Sequence, residues 1–260
     1  MKKLAFIGMG NMAGALVRGF LNSGKIAAAD VAAYDPNTEK LSTVAKELGF
    51  YAASSLADAV TFADTVLVAC KPNHVEGVLA EVKELLHGKT LLSIALGWDF
   101  AKYSEILDKD VRIQFIMPNT PALVGEGVFL FEESNSLEKE EAEQIRALFG
   151  SIGLVTTLPS RLMGIGGALT GCGPAFADLF MEALADAAVK YGIARELSYT
   201  LISQMLLGSA KLQKETGTHP AILKDAVCSP GGSTIRGVTA REKAGFRAAC
   251  QAAIDAIMKK

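Results

Sequence analysis

Over the first 160 positions, apolar residues come in short unbroken runs separated by longer amphipathic stretches. Residues 4–8, 31–34, 65–70, 90–94, 111–117, 128–131 and 154–157 are nearly all apolar. They read as strands covered on both faces rather than strands with one wet face. Between them, 12–21, 38–48, 55–62, 74–86 and 138–149 carry the helical pattern. Strands alternating with helices of this length predict a doubly wound α/β domain, a parallel sheet with helices on both faces. The pattern changes after Pro159. No convincing strand run follows, whereas 174–191, 194–216 and 245–260 are rich in Ala and other helix formers, with Gly192 placed as a helix stop. The expected organisation is an α/β domain over 1–160 and an all-helical domain over 161–260.

Half of the 260 residues are hydrophobic and 21% are charged, enough apolar material for a sizeable core. The formal charge of −2 excludes a strongly basic nucleic-acid binder and a polybasic membrane binder. The longest uncharged stretch near the middle, 162–177, is broken by glycines and Pro174 and falls short of the ~20 apolar residues that cross a bilayer. The N-terminus runs straight into a strand, with no small-residue cleavage site of a signal peptide. Cys70, Cys172, Cys228 and Cys250 lie far apart without a Cys-x-x-Cys pair, as in a reduced, cytoplasmic protein. The three histidines have no metal-ligand spacing, and neither a Gly-x-Ser-x-Gly elbow nor a P-loop Lys-Ser/Thr pair occurs. The partner these features leave is a small molecule, with no nucleic acid and no membrane.

The first chemistry-bearing motif is Gly8-Met9-Gly10-Asn11-Met12-Ala13, a G-x-G-x-x-A turn between an apolar strand and a helix. In that context it is the fingerprint of a Rossmann-type dinucleotide site. Gly8 permits the tight turn, Gly10 lets a pyrophosphate approach the backbone, Ala13 allows close helix packing, and the helix N-terminus offers N–H groups and a positive dipole end. Asp35 closes the second strand near the expected ~20-residue spacing. A carboxylate there accepts from both ribose hydroxyls and repels a 2′-phosphate, which favours NADH. Lys40 is close enough in sequence to receive a phosphate, so NADPH stays open, and Asp35 also reads as a helix cap.

Ligands of open α/β sheets lie beyond the carboxyl ends of the strands. Two turn-rich loops fall there, Lys71-Pro72-Asn73 and Met117-Pro118-Asn119-Thr120-Pro121. Lys71 is a candidate for the cofactor ribose or an anionic substrate group, and Asn119 for the nicotinamide side; plain loop chemistry accounts for either equally well. In the second half, Ser229-Pro230-Gly231-Gly232-Ser233-Thr234 is a Gly-Gly turn that opens a helix. It reads either as an anion nest or as a capped helix–helix turn.

Taken together, these blocks resemble the pyrroline-5-carboxylate reductase family over essentially the whole chain. The matching pieces are the Gly8–Ala13 turn, Lys71-Pro72, the loop 117–121, Thr170-Gly171-Cys172-Gly173-Pro174-Ala175-Phe176, His219-Pro220, Leu223-Lys224-Asp225 and, most specific, Ser229-Pro230-Gly231-Gly232-Ser233-Thr234-Ile235. The resemblance implies a Rossmann domain followed by an all-α dimerisation domain that interlocks with a second subunit. It implies an obligate homodimer, open to further assembly, that reduces L-1-pyrroline-5-carboxylate to L-proline with NADPH or NADH. It carries the substrate-carboxylate loop to Ser229, Gly231, Gly232, Ser233 and Thr234, the group at the ring nitrogen to Thr234, and cofactor contacts to Gly8, Met9, Gly10, Asn11, Met12, Lys71, Pro72 and Asn119. The chain departs from the family in three places. Phe176 replaces a usual Tyr, the segment after the fifth strand reads Ala95-Leu96-Gly97-Trp98, and Asp35 stands where phosphate-binding polar residues are common.

The inventory suits imine reduction. A protonated imine accepts hydride without a strong general acid at the moment of transfer, whereas an alcohol dehydrogenase must remove a hydroxyl proton. A β-hydroxyacid dehydrogenase would want a Lys early on the first helix of the second domain, where the chain offers only Lys190 near the end. A non-catalytic dinucleotide-binding protein would have no use for the Ser229–Thr234 loop.

Overall fold

The computed structural model describes residues 3–259. Its contacts divide the chain into two compact units that meet between Gly171 and Cys172.

The first unit is built on one eight-stranded sheet. Its strands are β1 (Leu4–Ile7), β2 (Val31–Tyr34), β3 (Tyr51–Ala52), β4 (Thr65–Val68), β5 (Thr90–Ser93), β6 (Arg112–Met117), β7 (Gly127–Glu132) and β8 (Gly153–Leu158), in the order 3-2-1-4-5-6-7-8. The order reverses at the β1–β4 pair, and that is where a doubly wound sheet binds its ligand. The helices α1 (Asn11–Asn22), α2 (Thr38–Leu48), α3 (Leu56–Phe62), α4 (Val75–Val82), α5 (Phe100–Ile106), α6 (Lys139–Gly150) and α7 (Ser160–Thr170) accompany it.

Two large apolar clusters cover the sheet. One joins Leu4, Phe6, Leu16, Phe20 and Phe149; the other joins Val66, Val68, Leu79, Trp98 and Tyr103. Phe149 of α6 packs edge-on against Phe20, Phe129 and Phe131 at ring separations of 5.0, 5.1 and 5.6 Å. Each such pair is worth about 0.5–1.5 kcal/mol beyond its buried area.

The sheet is parallel throughout except at β6–β7, which run antiparallel. The sequence alone predicts a parallel sheet; the correction has a simple cause. Residues 118–126 are too few for the crossover of a dozen or more that a parallel return requires, and they fold as a tight helical turn over Thr120–Val124.

Helix α7 lies over the expected boundary at residue 160 and packs on the sheet. A Cβ at Gly166 would fall 2.7 Å from Leu130 Cδ1 and 2.6 Å from Leu158 Cδ1, so the glycines of this stretch are what let the helix backbone settle onto β7 and β8.

The second unit is helical: α8 (Gly173–Lys190), α9 (Arg195–Thr216), α10 (Pro220–Ala226), α11 (Ser233–Lys243) and α12 (Phe246–Met258). Among its described residues only Ala185, Ser198 and Ile202 are buried. Leu179, Leu201, Leu207 and Leu212 are each more than half exposed. Apolar helical faces left this exposed are of the kind that marks association surfaces.

Candidate active site

The glycine-rich turn follows β1 at the sheet's reversal point, and at Gly8 its backbone admits no side chain. Gly8 has φ +98, and a Cβ there would lie 2.9 Å from the carbonyl of Ala69 and the nitrogen of Cys70, in the loop after β4. Its N–H donates to the Tyr34 carbonyl at 2.8 Å, at the end of β2. The turn is thus wedged between the loops on either side of β1. Gly10 is exposed, and a Cβ on it would meet nothing within 4 Å. It is the N-cap of α1, where no side chain caps the helix and no acidic residue occupies the first turn. The first-turn N–H groups, including those of Asn11 and Met12, therefore have no side-chain acceptor. Met9 is buried and anchors the turn in the core, and Met12 is half-buried.

Asp35 Oδ2 accepts the Met9 N–H at 2.7 Å and Oδ1 accepts the Asn37 N–H at 2.8 Å. The cap of α2 is a different residue, Asn37, whose side chain accepts from the Lys40 N–H at 3.0 Å. The carboxylate of Asp35 is thereby held at the mouth of the turn. It lines an open cleft of about 830 Å³ together with Gly8, Gly10, Lys71, Asn73 and His74. Burial pushes the thiol pKa of Cys70, on the same wall, upward, so it stays a protonated bystander at neutral pH. Tyr34 and His74 line the cleft without belonging to any motif. Their one signal in the sequence is position, Tyr34 as the last residue of β2 and His74 on the loop that follows β4. Lys71 and Pro72 are exposed on the loop after β4. A dinucleotide fits this donor set: uncapped helix N–H groups, an open glycine and a carboxylate at ribose distance along the chain.

Asn119 is nine-tenths buried and its amide is engaged at both ends. Nδ2 donates to the Thr170 carbonyl at 3.0 Å, and Oδ1 accepts the Val128 N–H at 2.8 Å. Its side chain ties the loop after β6 to β7 and to the end of α7.

In the second unit, Ser229, Gly231, Ser233 and Thr234 are exposed and Gly232 is half-buried. The turn is closed by the Gly232 N–H donating to the Ser229 carbonyl at 3.0 Å, with Gly231 at φ +68. Gly232 is the N-cap of α11 and no side chain caps that helix. The early N–H groups of α11 and the hydroxyls of Ser229, Ser233 and Thr234 thus form an uncapped, solvent-facing donor set suited to a carboxylate. Among the described residues no cluster of His, Cys, Asp or Glu has the geometry to hold a metal ion, and no helix is long and apolar enough to cross a membrane.

Comparison with known proteins places both halves. Residues 160–260 match a family profile described as pyrroline-5-carboxylate reductase dimerisation, and residues 3–97 one described as NADP oxidoreductase, coenzyme F420-dependent. A pyrroline-5-carboxylate reductase of Treponema pallidum (strain Nichols) is 38% identical over 98% of this chain and 98% of its own length. That of Escherichia coli (strain K12) is 36% identical over 100% of this chain and 97% of its own. The crystal structure of a Plasmodium falciparum pyrroline carboxylate reductase with NADP bound superimposes with a TM-score of 0.89 at 33% identity, covering 98% of this chain and 95% of that one. With a nucleotide turn, an uncapped Ser-Gly-Gly-Ser-Thr loop and similarity along its whole length, the chain belongs to the pyrroline-5-carboxylate reductase family.

Proposed function

We propose that the protein reduces L-1-pyrroline-5-carboxylate to L-proline with a reduced nicotinamide dinucleotide, the closing step of proline synthesis. The observation that carries this reading is the coexistence, in one chain, of the Gly8–Ala13 turn and the uncapped Ser229–Thr234 loop.

When bound, the dinucleotide supplies the hydride. The residues placed to hold it are Gly8, Met9 and Gly10 at the turn, Asn11 and Met12 through backbone N–H groups, Asp35 at the adenine ribose, and Lys71 and Pro72 along the cleft. Asn119 contributes by fixing its loop. The lone pairs of Asp35 left over by Met9 and Asn37 accept ribose hydroxyls, and its charge disfavours a 2′-phosphate. The cofactor preference is therefore for NADH.

On the substrate side, the N–H groups and hydroxyls of Ser229, Gly231, Gly232, Ser233 and Thr234 hold the carboxylate. The Thr234 hydroxyl bonds the ring nitrogen and fixes the imine carbon. The imine nitrogen carries its proton before transfer, so Thr234 has only to orient the ring, and rate comes from positioning. The exposed apolar helices of the second unit make the working protein an obligate homodimer, open to further assembly, at home in the reducing cytoplasm.

The test is steady-state oxidation of NADH and of NADPH, in parallel, with racemic 1-pyrroline-5-carboxylate. Turnover with a higher kcat/KM for NADH is expected. Absence of turnover with either cofactor overturns the reaction, and an NADPH preference overturns the role of Asp35.

A further inference from the structure

The loop after β5 carries the chain's single tryptophan. Its neighbours Leu96, Gly97 and Asp99 are exposed, yet Trp98 itself is only 3% exposed. The indole Nε1–H donates to the Pro72 carbonyl at 3.0 Å, in the loop after β4. The ring is held from two sides. Tyr103 packs against it at a centroid separation of 5.1 Å, and the Lys102 ammonium lies 3.9 Å from its centroid. Tyr103 is fully buried, and its phenol meets Ser93 Oγ, on the last residue of β5, at 2.8 Å. Contacts therefore run unbroken from the end of β5, through Tyr103 and Trp98, to Pro72.

The segment at the end of this chain of contacts is part of the cofactor cleft. Lys71, Asn73 and His74 all line it. The segment has little else to hold it. Pro72 has no N–H, Lys71 makes no side-chain cap, and the bonds from the His74 N–H to the Lys71 carbonyl at 2.9 Å and from the Val75 N–H to the same Pro72 carbonyl tie the segment only to itself and to the start of α4. Among the described residues the indole provides the one side-chain hydrogen bond that reaches residues 71–74 from elsewhere in the fold. Packing alone would be met by any large apolar side chain at position 98, so the N–H is the distinctive contribution of tryptophan.

We propose that Trp98 is a positioning residue for the nucleotide site, holding the segment 71–74 against the cleft through the Pro72 carbonyl. The proposal rests on the dinucleotide reading of that cleft and is independent of which imine is reduced.

The test compares the wild-type protein with Trp98→Phe, which keeps an aromatic ring and loses the donor. A second variant carries benzothienylalanine at this one tryptophan, with sulfur in place of N–H at nearly constant volume, and so survives any folding defect of the first. In the nucleotide-free protein, exchange of the His74 and Val75 amides, which bond the Lys71 and Pro72 carbonyls, is expected to quicken about five- to tenfold, the range set by losing one such hydrogen bond. The Kd for NADH, from fluorescence titration, is expected to rise by about the same factor, with kcat unchanged within about twofold because the reacting end is untouched. A purely structural tryptophan would lower Tm and leave exchange and Kd of the folded variants at wild-type values; that result overturns the proposal. If wild-type protein binds no dinucleotide, the reading of the cleft fails along with it. If wild-type protein binds and both variants bind equally well, only the role of Trp98 falls.

Discussion

The Met9 N–H donates to the Asp35 carboxylate at 2.7 Å, so the glycine-rich turn and the end of β2 are one hydrogen-bonded unit. The other carboxylate oxygen takes the Asn37 N–H. A carboxylate has about four acceptor sites, so the contacts that shape the turn leave room for ribose hydroxyls. If the cleft holds the dinucleotide as proposed, one side chain links the shape of the turn to the choice of cofactor.

Replacing Asp35 separates the two roles. In Asp35→Ser the ratio of kcat/KM for NADPH over NADH is expected to rise about tenfold or more, the effect of removing one like charge from the 2′-phosphate position. The affinity for both cofactors should fall, because the Met9 N–H loses a charged acceptor. Parallel steady-state assays measure both effects, and an unchanged ratio would show that Asp35 serves the turn alone.

Thr234→Ala removes a hydroxyl from the exposed start of α11. Its kcat/KM for the imine is expected to drop about tenfold, as for one lost hydrogen bond realised at the reacting ring. The Kd for NADH, titrated without substrate, should match wild type. Wild-type imine kinetics in a folded variant would remove Thr234 from the site.

The helical unit offers a separate test. Leu179 and Leu207 are 65% and 55% exposed and lie on α8 and α9. Leu179→Asp or Leu207→Asp places a charge on a face meant for a partner. Sedimentation equilibrium is expected to show dissociation to a smaller species, with Tm falling and becoming dependent on protein concentration. A variant with unchanged mass at micromolar concentration would place the interface elsewhere.

A surface cluster away from the cleft governs a small pH dependence. The His87 ring lies 3.1 Å from Asp110 Oδ2 and 3.6 Å from both Asp108 and Glu84. The hydrogen bond to Asp110, and then its charge, raises the pKa of His87, and the bond to His87 lowers that of Asp110. The histidine's contribution is complete below its unfolded value of about 6.5 and is lost as pH rises through the raised folded value. The aspartate's contribution is present above about 3.9 and is lost as pH falls through its lowered value. Because the cluster is exposed, the effect is small and sensitive to salt. The Tm gap between wild type and His87→Ala is expected to be widest near pH 5–6 and to close by pH 8–9. A gap that widens with pH would reverse this assignment.

The strands and long helices of the first unit were legible because each is marked by an unbroken apolar run or a helical period, as at Thr65–Val68 and Thr38–Leu48. Short elements were not. Tyr51–Ala52 is a two-residue edge strand on the sheet's rim, and Phe100–Ile106 is barely two turns, too short for its Asp99 cap and apolar spacing to stand out. Helix α7 was hidden by its own glycines, which lower helix propensity; two of them lie close against the sheet, Gly166 at Leu130 and Leu158 and Gly167 at Met117. The Gly8–Ala13 turn and the Ser229–Thr234 loop were legible as glycine turns that open helices because local backbone shape follows residue type. Asn119 was legible as a polar residue on the loop after β6, but the direction of its amide depends on Thr170, which only folding brings near.

The sequence by itself determined the alternation of strands and helices, the glycine-rich turn after the first strand, and the change to an all-helical second half, since each rests on residues close in the chain. The tertiary structure alone decided that Met9 and Trp98 bind Asp35 and Pro72, and that Asn119 is buried against Thr170. Those outcomes depend on hydrogen bonds and packing between segments far apart in sequence. No local pattern encodes them, because the donor and the acceptor are each ordinary until the fold sets them 3 Å apart.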